Sequence, residues 1–203
     1  MKIFSPFFFA SIALNLVFPS DALACACCAD AGTYSIRVKN PDKYEFDELK
    51  KIKFTKAKLF TTPGYPDDIK GISPLGENYS LNGSLQNNLW KLDLTDDKDK
   101  SGTLNLTKPS SMVVFMADLH DSKDTGAGVK LYKEWRFKYG VNSGTGIFQK
   151  GIAPKTEYFL VLQGRGNACT TAGDFTHWRL EITGKKASYA FFGELNSTNN
   201  DAN

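Results

Sequence analysis

Apolar residues alternate with polar ones along almost the whole chain, as in Tyr34-Ser35-Ile36-Arg37-Val38, Lys51-Ile52-Lys53-Phe54 and Trp90-Lys91-Leu92-Asp93-Leu94. A period of two puts successive side chains on opposite faces of an extended strand, so each segment reads as a strand with one wet face and one buried face. No stretch longer than about ten residues keeps helical spacing. The acidic segment Asp42–Lys50 is the best place for a single helical turn.

The pattern predicts strands at 34–38, 51–60, 79–85, 90–94, 104–106, 112–117, 129–139, 158–162, 176–183 and 187–192. Pro63-Gly64-Tyr65-Pro66 and the loop Lys70–Gly76 separate the second from the third, and a charged turn joins Trp90–Leu94 to Leu104–Leu106 as a hairpin. Met112–Ala117 is apolar on both faces and predicts a central strand buried between two layers, as does Tyr158–Leu162. Short strands separated by regular turn signals predict an all-β domain, a two-sheet β-sandwich or jelly roll spanning residues 33–195.

The first 24 residues break this pattern. Lys2 precedes an apolar run from Ile3 to Phe18, then Pro19-Ser20-Asp21 and a small-x-small site at Ala22-Leu23-Ala24. That arrangement predicts a signal peptide and an exported chain, periplasmic or extracellular. The run is too short, and too interrupted, for the roughly 20 apolar residues a membrane helix needs, so no transmembrane segment is expected. A lipid anchor at Cys25 is the lesser alternative, because Ala22 stands where lipoprotein signals carry a large aliphatic residue. The polar segment 196–203 reads as a frayed tail.

Composition adds little that is specific. Twenty-five Lys and Arg against 22 Asp and Glu give a formal charge of +3, and the cations alternate with apolar residues, so nucleic-acid binding is not expected. About 180 residues after cleavage suffice for one domain with its own core.

The cysteines carry more. Cys25, Cys27 and Cys28 form a CxCC cluster (residues 25–32 making a cysteine-rich N-terminal segment) and Cys169 stands alone, far along the chain. In an exported protein four cysteines read as two disulfides, and every pairing joins Cys169 to one of Cys25, Cys27 and Cys28. The second bridge would then close a strained small ring. A competing use is thiolate ligation of Cu(I) or Zn(II) by Cys25, Cys27 and Cys28, completed by Cys169 or His177.

Asp97-Lys98-Asp99-Lys100-Ser101-Gly102-Thr103-Leu104-Asn105 resembles calcium loops written DxDxDG, with Asp97, Asp99, Ser101, the Thr103 carbonyl and Asn105 at the ligand places. Two carboxylates beside two lysines predict a weak site that would stiffen the hairpin; a plain solvated turn is the alternative. Asp118-Leu119-His120-Asp121 gathers polar groups as a metal or acid–base pair or as an ordinary hydrophilic connection.

No GxSxG, HExxH or phosphate-cradling loop occurs, so an enzyme is not the favoured class. The leading expectation is an exported, non-catalytic binding protein, with copper or zinc at the cysteine cluster or calcium at the hairpin. The second is a carbohydrate- or protein-binding module whose cysteines serve only in disulfides, for which an exposed Trp90, Trp135 or Trp178 would speak. The third is a hydrolase with a loop-built site.

Overall fold

The computed structural model describes residues 31–60, 69–86, 89–120 and 131–196. The segment expected to be a signal peptide, Cys25, Cys27 and Cys28, the turn expected at Pro63–Pro66, residues 121–130 and residues 197–203 lie outside the described residues. In chain order the elements are β1 (Tyr34–Lys39), α1 (Lys43–Lys51), β2 (Lys53–Leu59), β3 (Asn78–Gln86), β4 (Leu89–Asp96), β5 (Ser101–Thr107), β6 (Met112–Ala117), β7 (Leu131–Gly144), β8 (Glu157–Gly166), β9 (Phe175–Thr183) and β10 (Ser188–Asn196).

The all-β expectation holds, but the strands do not divide into two sheets. They run β2-β3-β4-β5-β7-β8-β9-β10, and β10 pairs with β2, so eight antiparallel strands close into one barrel. Each strand follows its sequence neighbour around the ring, apart from the excursion through β6. The two-sheet sandwich is therefore corrected to a barrel. Alternation cannot separate the two, because both bury one face of every strand.

Closure depends on β7, which is 14 residues long. Its first part, Leu131–Gly140, pairs with β8, and its last residues, Val141–Gly144, pair with β5. The opposite edge of its first part takes β6, and β6 takes β1, so β1 and β6 project from the barrel as a two-stranded flap. Met112–Ala117 is thus a flap strand and not a central one: Met112, Val114 and Ala117 are buried, whereas Val113, Phe115 and Met116 are half-exposed.

The interior is filled by side chains. Trp90, Leu92, Leu104, Leu106, Phe137, Leu160, Trp178 and Phe191 are each no more than 2% exposed. Gly83 makes room among them, since a Cβ there would lie 2.7 Å from Leu92 and 3.0 Å from Phe54. One end is plugged by the turn Gly146–Phe148, with Phe148 wholly buried against Tyr189 and Phe191. Gly146 has φ +57, and its Cβ would fall 2.1 Å from the Ser101 carbonyl, so only glycine serves there.

The predicted helical turn is α1, begun by a capping box in which Asp42 accepts from the Glu45 N–H and Glu45 accepts from the Asp42 N–H. It covers the other end of the barrel with Leu49 buried beneath it.

Burial pushes the phenol pKa values of Tyr158 and Tyr189 well above the ordinary range; burial, then the hydrogen bond to Glu134, raises Tyr132 to about 12. The unfolded chain releases these protons first, near pH ~10. Their contribution to stability is therefore complete below about pH 10 and lost as pH rises toward the folded values. Urea midpoints are expected to fall between about pH 9 and pH 12, with phenolate absorbance appearing together with unfolding. A midpoint independent of pH over that range would contradict the buried phenols.

Candidate functional site

The α1-covered end of the barrel is where charge enters the core. On the inward side of β7 stand Leu131, Lys133, Trp135 and Phe137, an apolar register with one lysine in it. Lys133 lies opposite Gly164 of β8, and its side chain is 1% exposed. Its ammonium donates to Asp174 Oδ2 at 2.8 Å, to Thr170 Oγ1 at 3.1 Å and to the Cys169 carbonyl at 3.3 Å, which uses all three of its protons. Burial pulls the Lys133 pKa down, against the upward pull of Asp174.

Glycines let the chain between β8 and β9 lie against β8. A Cβ on Gly164 would sit 1.8 Å from the Asp174 carbonyl oxygen, and one on Gly166 would sit 2.2 Å from Asp174 Cγ. Asp174 also accepts from the Thr171 N–H, closing a short turn over Ala172–Asp174. From above, Glu48 of α1 accepts the Ala172 N–H at 2.7 Å and Tyr44 donates to the Thr170 carbonyl at 3.2 Å. The loop bearing Cys169 is thereby held by β7 below and α1 above.

Beside the Cys169 loop, between α1 and the inner face of the flap, lies a cavity of about 140 Å³ lined by Arg37, Lys39, Tyr44, Glu45, Trp135 and Thr170 among others. Lys39 is already committed to Glu45 at 2.9 Å and Asp42 at 3.4 Å. The volume suits a few waters or a small ion.

His177 is elsewhere. It sits on β9 between Gln163 and Glu194, faces the outer wall and contacts Thr176 Oγ1 through Nδ1 at 2.9 Å. No group of three or more potential ligands gathers among the described residues, Cys169 and His177 included.

The hairpin that resembles a calcium loop is organised by a residue outside the predicted set. Asp96, buried, accepts the Lys98 and Lys100 N–H groups at 2.9 and 2.7 Å, and Asp99 takes the left-handed φ of 59° that the turn requires. Ser101, Thr103 and Asn105 follow on an extended strand, so the first and last are separated by about 13 Å, where a wrapping loop would gather them. Thr103 donates to Asp93 and Asn105 to Ser143. Asp97, Asp99, Ser101, Thr103 and Asn105 are accordingly strung along the hairpin and not gathered round one point.

Asp118, at the end of β6, accepts from the His120 backbone N–H at 3.1 Å and contacts the His120 ring. Burial raises its pKa, but the two hydrogen bonds from His120 outweigh that and hold it below the ordinary carboxylate value. Asp121 lies outside the described residues.

Trp90, Trp135 and Trp178 are all interior. Among the described residues the exposed aromatic rings are instead Tyr34, Tyr44, Phe60, Tyr139 and Phe192, and Phe60 packs against Phe192 with centroids 4.3 Å apart and the rings tilted by 44°. Sequence reasoning missed that pair and the Lys133–Asp174 clamp. A lysine at an inward place in the Leu131–Phe137 alternation was a signal for the clamp.

No family model matches the chain, and neither a curated protein nor a solved structure matches it.

Proposed function

We propose that this is an exported, non-catalytic binding module whose cysteines are structural and whose ligand surface is the outer wall of the barrel. The observation that carries the reading is the filled interior. With Trp90, Phe137, Phe148, Trp178 and Phe191 occupying the lumen, a ligand larger than a small ion is left the outside. Among the described residues no helix is long and apolar enough to cross a membrane.

In an exported chain the Cys169 sulfur is taken as oxidised and structural, not as a metal ligand. In this reading its partner is one of Cys25, Cys27 and Cys28, and the bridge ties the mature N-terminus to the loop clamped by Lys133 and α1. A loop of that length contributes up to about 4–5 kcal/mol on the chain-entropy account. The same linkage requires an oxidising compartment, in keeping with the export signal.

Intact mass and bound-metal content of unreduced protein from its export compartment test the proposal. The denatured chain is expected to be lighter than the reduced chain by a hydrogen pair for each disulfide, with neither copper nor zinc bound. Stoichiometric copper or zinc, released when the thiols are alkylated, would overturn it in favour of a CxCC metal centre.

A further inference from the structure

The ladder slips once between β5 and β7 and once between β8 and β9, and at β2 it slips on both edges of the same strand. In β2, Thr55 and Lys56 both face outward where alternation would bury one of them, and the register slips there against β3 and against β10. This is a β-bulge, which re-aims side chains and parts the strand surfaces. On the β10 side Gly193 lets β2 close in, since a Cβ there would lie 2.2 Å from the Lys56 carbonyl and 2.8 Å from the Trp178 indole nitrogen.

A groove of about 590 Å³ opens along β2 and β10, lined by Thr55, Lys56, Lys58, His177, Phe192 and Glu194 among others. A second, of about 510 Å³, flanks Lys56 and Lys58 on the β3 side, with Ser80, Thr95 and Asp97 in its wall. Lys56 and Lys58 form no ion pair with any described residue, a state they share with other lysines such as Lys53, Lys70 and Lys108, and what sets them apart is their place together between the two grooves. At the Lys58 end stands the exposed Phe60–Phe192 pair, with Lys58 directly opposite Phe192 in the ladder.

We infer that this bulged groove binds an acidic polysaccharide, a hydroxyl-rich chain with carboxylates at intervals. Lys56 and Lys58, two residues apart on one face and so about 7 Å apart, meet the carboxylates. The Phe60–Phe192 pair offers an apolar surface to the C–H face of a sugar ring, and Thr55, Ser80, Thr95 and Asn196 supply hydroxyl and amide partners. Glu194 and Asp97 accept from sugar hydroxyls and repel a ligand with a phosphate at every unit, which favours a sparsely charged glycan over single-stranded nucleic acid. The inference rests on the outer-wall reading of the function and names its ligand class.

Hyaluronan hexasaccharide, with a carboxylate on alternate sugars, is the probe for calorimetry on the unreduced, signal-cleaved protein. Chitin hexasaccharide, which lacks carboxylates, and oligodeoxythymidylate are the comparators. Hyaluronan is expected to bind, more weakly as salt rises, and about tenfold more weakly in Lys56→Ala/Lys58→Ala. Phe192→Ala is expected to weaken it too, and Lys150→Ala/Lys155→Ala, equal in charge change but away from the groove, to leave it intact. No binding of hyaluronan, equal loss in both lysine pairs, or tighter binding of the oligonucleotide would overturn the glycan groove. Those outcomes leave the disulfide and metal measurement untouched, so the two proposals fail separately.

Discussion

Replacing Lys133 with methionine is expected to destabilise the protein by about 3–5 kcal/mol, because the substitution leaves Asp174 charged and largely buried without its cation. The side chain of Asp174 is 16% exposed, so solvent recovers only a little of the loss. The same change removes the Lys133 hydrogen bonds to Thr170 Oγ1 and to the Cys169 carbonyl and loosens the loop between β8 and β9. Lys133→Met combined with Asp174→Asn removes the orphaned charge while keeping an acceptor for the Thr171 N–H, and it is expected to recover most of the stability. Urea denaturation of the two single variants and the double variant measures the coupling. A Lys133→Met protein within about 1 kcal/mol of the parent would show that the clamp is incidental.

Phe137→Ala is expected to cost about 3–5 kcal/mol, and Phe192→Ala under about 1 kcal/mol, although the two rings are of equal size. Phe137 has no exposed surface and meets Trp90 edge-on with centroids 5.2 Å apart, so its loss leaves a hole lined by both sides of a closed barrel. Phe192 projects from the outer wall and is 36% exposed. The hole left by Phe137→Ala should stay dry and take up xenon or benzene, which would raise the variant's thermal midpoint while leaving the parent's unchanged. Equal losses for the two variants would contradict the inside–outside assignment of β7 and β10.

Alternation along the chain determined the strands and the buried face of most of those in the barrel, because side chains on an extended backbone point to opposite faces whatever the strand pairs with. It did not determine burial in the flap, where Tyr34, Ile36 and Val38 of β1 are all exposed and Phe115 and Met116 of β6 are half-exposed. Asp42 ahead of Glu45 determined where α1 starts, because a capping box is made within one turn. The hairpin between Trp90 and Leu106 was legible for the same reason: its contacts are local. Only the tertiary structure decided that the sheet closes. Closure lies in the long-range pairing of β10 with β2 and in the two successive partners of β7, and period-two patterning is the same for a sandwich. The candidate surfaces were hidden on the same grounds. Lys133 meets Asp174 across 41 residues, and Phe60 meets Phe192 only where β2 and β10 complete the ring. The groove beside them follows from a bulge whose slip exists only relative to neighbouring strands.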